Sequence, residues 1–80
     1  MSKIKTILTF VLLAVGVSLF AQMKKANKLY DELRFVDAIE AYSKVLKKDD
    51  KNAEALRKIA DCYRVTKQYE KAELFYSKAF

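Results

Sequence analysis

The second half of this chain repeats the first at a fixed offset. Laying Ala38 over Ala72 brings Ala26 onto Ala60, Phe35 onto Tyr69, Tyr42 onto Tyr76, Ser43 onto Ser77 and Lys44 onto Lys78, without a gap. A self-similarity at 34 residues marks a stack of helical units, each too thin to bury its own apolar side. In the second unit Leu56, Ile59, Ala60 and Tyr63 recur at helical spacing on one face, and Ala72, Tyr76, Ala79 and Phe80 on another. Glu54, Arg57, Lys58, Asp61 and Arg64 fall between the first four, so that helix is amphipathic. Ala60 and Ala72 are small where two helices must approach closely. Val65–Gln68 carries no clean apolar stripe and is expected to form the turn between them.

These positions, in this order, resemble the tetratricopeptide repeat. The resemblance implies an all-α fold of two tandem helical hairpins, the start of an α-solenoid, placed here behind a cleavable N-terminal signal peptide. The expected division is a signal over residues 1–21, a partial capping unit over 22–52 and a second unit over 53–80, truncated at its C-terminal end. In the first unit Gln22–Asp31 is the expected first helix, with Ala26 at the close-packing position and Leu29 where the second unit has Tyr63. Lys25 replaces the counterpart of Ile59, as suits an end unit whose outer face meets water. Leu33–Phe35 is the expected turn, and Val36–Lys48 the second helix, with Ala38, Ile39, Tyr42, Val45 and Leu46 inward. Asp49–Asn52 breaks the periodicity as the connection, and Asp50 or Asn52 is expected to cap the next helix.

The N-terminus follows another logic. Lys3 and Lys5 precede the apolar run Ile7–Phe20, which is shorter than the roughly 20 residues that a membrane-crossing helix needs. Ala21 then offers a small residue before Gln22, the layout of an export signal cut after Ala21. The alternative is an uncleaved signal anchor. Membrane contact is expected only through this segment or through partner proteins. No Cys adjoins the site, so a lipid anchor there is not expected.

Composition narrows the function. The chain has no Pro, no His, one Gly and one Cys. It therefore has no Gly-rich phosphate loop and no His/Cys set for a tetrahedral zinc site. No catalytic, cofactor or metal residues are expected, and the chain is not expected to be an enzyme. Sixteen Lys and Arg against 10 Asp and Glu give +6. The charges alternate along helices rather than cluster, which describes a solvated surface and not a nucleic-acid footprint. Cys62 reads as a structural thiol, and Asp31, Glu32, Asp37 and Glu40 as surface charge.

The family resemblance also implies a concave groove lined by the first helix of each hairpin, which holds peptides. Here it would present Lys24, Asn27 and Tyr30 from one unit, and Arg57, Lys58, Asp61 and Arg64 from the next. A largely basic face with one aromatic suits an acidic or extended segment of a partner protein. The family's clamp on a C-terminal carboxylate is not matched: Asn27 occupies one position, but Met23 stands where a Lys is expected and Lys58 where an Asn is. Across the whole chain, Phe-Ala-Gln at the cleavage site, Ala-Asn-Lys-Leu-Tyr and Phe-Val-Asp-Ala-Ile look like the start of exported Bacteroidetes proteins with an OmpA-like peptidoglycan-binding domain, several linked to type IX secretion. That likeness implies a periplasmic place at the outer membrane. The expected role is a protein–protein scaffold in the cell envelope, the alternative being the N-terminal part of an OmpA-like peptidoglycan anchor. Further repeats or a partner are expected to cover the last helix, and residues 22–80 alone to be marginally folded.

Overall fold

A computed structural model describes residues 18–80. Apart from its last residues, the expected export signal lies outside them. Four helices follow one another: α1 over 18–31, α2 Phe35–Lys48, α3 Ala53–Val65 and α4 Tyr69–Ala79. They form two hairpins, α1/α2 and α3/α4. Within the first, Lys48 at the end of α2 reaches Ser18 at the start of α1, and Tyr30 near the end of α1 meets Phe35. The two helices therefore run antiparallel. Asn27 meets Lys58 and Tyr30 meets Asp61, so α1 and α3 lie side by side in the same direction.

Local chemistry fixes the ends. Asn52 caps α3, its Oδ1 accepting from the Ala55 N–H at 3.0 Å. Thr66 Oγ1 donates to the Cys62 and Tyr63 carbonyls at the other end of that helix. At the start of α2, Arg34 pairs with Asp37 at 2.7 Å. Lys47 and Lys48 stand in the last turn of α2, where they favour the negative pole of the helix dipole.

Both hairpins turn by the same device, one offset of the repeat apart. Leu33 (φ 61°) and Lys67 (φ 65°) occupy the left-handed region. The N–H of Arg34 reaches back to the Leu29 carbonyl and that of Leu33 to Tyr30. Gln68 to Tyr63 and Lys67 to Arg64 repeat the pattern. This is a Schellman closure, whose left-handed position is normally glycine. A side chain there costs roughly 1–2 kcal/mol. Lys67→Gly is therefore expected to stabilise the fold by about 0.5–1 kcal/mol, after the extra freedom glycine gives the unfolded chain. A urea titration followed by circular dichroism reads this, and a loss of stability would contradict the turn assignment.

The core joins the two hairpins. Ala26, Ala38, Ala41, Tyr42, Val45, Ala55, Ile59 and Cys62 form one buried cluster, with Leu19, Leu29, Ile39 and Leu46 packed partly against it. Ala60 and Ala72 are buried at the positions expected for close approach. Three expectations change. The first helix is already formed at residue 18, ahead of Gln22, where Leu19 packs against the core and Ser18 Oγ accepts from Lys48 Nζ at 3.0 Å. The second begins at Phe35, so the first turn ends one residue earlier. Phe80 was expected inward but is 92% exposed, since α4 ends at Ala79.

Candidate functional site

The inner face of the two hairpins is formed by α1 and α3, and the seven residues expected to line it divide into two groups. Asn27, Tyr30, Lys58 and Asp61 are half-buried and tied to one another. Lys24, Arg57 and Arg64 are exposed around them.

The tie within each hairpin is the same bond made twice. Tyr42 Oη donates to Asn27 Oδ1 at 2.6 Å, and Tyr76 Oη donates to Asp61 Oδ1. Asn27 and Asp61 are equivalent positions of the two units, as are Tyr42 and Tyr76. Each pair fastens the second helix of a hairpin to the inner edge of the first. Three further bonds cross between hairpins, one of them from Asn27 Nδ2 to Glu54 Oε1 at 3.5 Å. Tyr30 donates to Asp61 Oδ2 at 3.1 Å, and Lys58 Nζ donates to Asn27 Oδ1 at 3.1 Å. Lys58 also pairs with Glu54 at 3.2 Å and lies 5.3 Å from the centre of the Tyr30 ring. Its side chain is only 20% exposed, which leaves its charge directed along this seam. Arg64 Nε donates to Tyr76 Oη at 3.3 Å, and the guanidinium otherwise faces solvent.

The electrostatics follow from burial. Tyr42, Tyr30 and Tyr76 are all pushed above the ordinary phenol value, first by burial; Asp61 adds to the shift for Tyr30 and Tyr76. Cys62, on the covered side of α3, is pushed up to about 11, first by burial and then by the Asp61 charge. It is a protonated, inert thiol at neutral pH, fully enclosed by the core. Asp37 and Glu40 pair with Arg34 and Lys44 on the exposed side of α2. Among the described residues no three His, Cys, Asp or Glu stand together as a metal set. Among them, too, no helix is long and apolar enough to cross a membrane.

Sequence reasoning placed Tyr42 and Tyr76 on apolar stripes and Glu54 among solvated charges, and so missed their part in the seam. The signal was present in the repeat itself. A tyrosine recurs opposite an Asn in one unit and an Asp in the next, and a buried hydroxyl requires such an acceptor.

The arrangement is a hydrogen-bonded polar seam bordered by exposed cations, without a nucleophile or general base in a pocket among the described residues. The tetratricopeptide repeat sequence profile matches residues 22–79, most of the chain. None of the curated proteins matches it. With the repeat, the paired hairpins and the profile in agreement, the chain belongs to the tetratricopeptide repeat family.

Proposed function

We infer that this is an exported protein–protein scaffold module of the bacterial cell envelope, working at the periplasmic side of the outer membrane. Tetratricopeptide repeats generally mediate contacts between proteins, which supplies the class. The observation that carries the finer reading is the composition of the inner face. Lys24, Arg57 and Arg64 are exposed along it, while the acidic Asp61 is occupied by two tyrosine hydroxyls. A face whose free groups are cationic and whose carboxylate is engaged favours an acidic, extended segment of a partner protein. Export rests on the basic n-region, the apolar run and the small residue at Ala21. Nucleic acid is disfavoured, because the aromatic rings on this face are fastened edge-on inside the seam rather than offered for stacking.

A second reading makes the module the N-terminal part of an OmpA-like peptidoglycan-anchoring protein. The outer side of α4 favours it, since exposed Tyr69 and Leu74 give a neighbouring unit a surface to stack on.

Charge reversal tests the scaffold reading. The chain and its Arg57→Glu/Arg64→Glu variant are immobilised and exposed to an envelope extract, with bound proteins released by salt. The variant is expected to lose at least about 10-fold of the captured partner, as like-charge contact costs of order a kcal/mol or more per site. Equal capture by both forms would remove the inner face from the account.

A further inference from the structure

Gln22 is out of place as an internal residue. Its equivalent in the second hairpin is Leu56, which is buried against the core. In α1 the Gln22 Oε1 is likewise buried and has no hydrogen-bond partner among the described residues. A buried amide oxygen without a donor destabilises the fold, so nothing in the packing accounts for a glutamine at this position. Its place in the sequence offers an account, because Gln22 directly follows Ala21, where the export signal is expected to be cut.

We propose that Gln22 is a modification site: once exposed as the first residue, it closes on itself to pyroglutamate. The proposal rests on the export reading above. Cleavage after Ala21 removes the turn of α1 that carries Ser18 and Leu19, leaving the Gln22 amine free. The neutral α-amine attacks the side-chain Cδ. A C–N bond forms to close a five-membered lactam, the bond from Cδ to the side-chain nitrogen breaks, and ammonia leaves with the proton given up by the amine. No redox change occurs and no co-reactant is consumed.

Three features of the chain favour the ring. Gln22 Oε1 accepts no hydrogen bond that would hold the carbonyl back from the amine. An ammonium at this point would sit at the positive pole of the shortened α1 and oppose the helix dipole. It would also stand beside Lys24, Lys25 and Lys28, while the nearest acids across the groove, Asp37 and Glu40, are already paired with Arg34 and Lys44. The lactam is uncharged and compact, and presents two methylene groups where the second hairpin presents Leu56.

The test is mass spectrometry of the N-terminal peptide of the full chain, recovered from the envelope of the cells that naturally make it. The expected result is a peptide beginning at residue 22, lighter than the unmodified sequence by one ammonia. It should resist Edman degradation until a pyroglutamyl aminopeptidase removes the first residue. A Gln22→Asn variant should be cut at the same bond but keep a free amine. A free amine on wild-type Gln22 would overturn the modification and leave the export reading standing. A chain retaining Met1 would overturn the cut after Ala21 and the modification with it, and a chain starting at another residue would overturn the modification and leave export standing. A synthetic peptide of residues 22–34 carried through the same handling must stay open; full closure there would assign the ring to the preparation and overturn the proposal.

Discussion

Tyr42→Ala is expected to abolish cooperative folding at room temperature. Among the described residues Tyr42 is the largest fully buried side chain, and it sits where both hairpins meet. Its ring packs edge-on to Tyr30 with centroids 6.4 Å apart, and its hydroxyl donates to Asn27. Truncating a buried aromatic to alanine costs about 3–5 kcal/mol through lost transfer energy and the cavity left behind. A small domain has little to set against that, since its total stability lies near the low end of about 5–15 kcal/mol. Tyr42→Phe separates the two contributions. It keeps the ring and removes only the hydroxyl, while Asn27 Oδ1 retains Lys58 as a donor. Its expected cost is about 1 kcal/mol. Urea denaturation followed by far-ultraviolet circular dichroism reads both variants. If Tyr42→Ala unfolds within about 0.5 kcal/mol of the parent, as an ordinary surface change would, Tyr42 is not the junction of the core.

The existence of the hairpins was legible because burial imposes a period. Ala26, Ala38, Ala60 and Ala72 must be small to let helices touch, and the cost of any larger side chain there writes itself into the sequence at fixed spacing. The Asn52 cap was legible for a similarly local reason: its side chain acts on the amide three residues on. The turns at Leu33 and Lys67 were legible in place but not in conformation. Their left-handed backbone is forced by the helices that they join, and neither residue advertises it as a glycine would. The seam was only half legible. Helical spacing puts Asn27, Tyr30, Lys58 and Asp61 on neighbouring faces, but it does not say whether such groups meet a ligand or each other. That depends on the separation of α1 and α3, which the packing of Ala26, Ala55 and Ile59 between them decides. Consequently Asp61 moves from a groove-facing charge to the acceptor that joins three helices, while Arg57 and Arg64 stay exposed.

Raising the pH above 9 is expected to unfold the chain, and Cys62 is expected to set the onset. Its thiol titrates near 9.0 when exposed and is pushed up to about 11 in the fold, so folding favours the protonated form. The resulting stabilisation is fully present below pH 9 and is lost as the pH rises from there through about 11. At about 1.4 kcal/mol per pKa unit it comes to roughly 2–3 kcal/mol. Tyr42, Tyr30 and Tyr76 act with the same sign from their ordinary value of 10.0 upward, since each is raised by burial. Cys62→Ala separates the thiol from the rest. It removes a titrating group from inside the core while leaving every tyrosine and lysine in place, so the onset should move up by about one pH unit even though the variant is less stable at neutral pH. Helical signal at 222 nm followed by stepwise alkaline titration measures both onsets. Coincident onsets for the parent and Cys62→Ala would mean that the thiolate is formed without penalty, and that the α3 face carrying Cys62 is open to water rather than closed by the first hairpin.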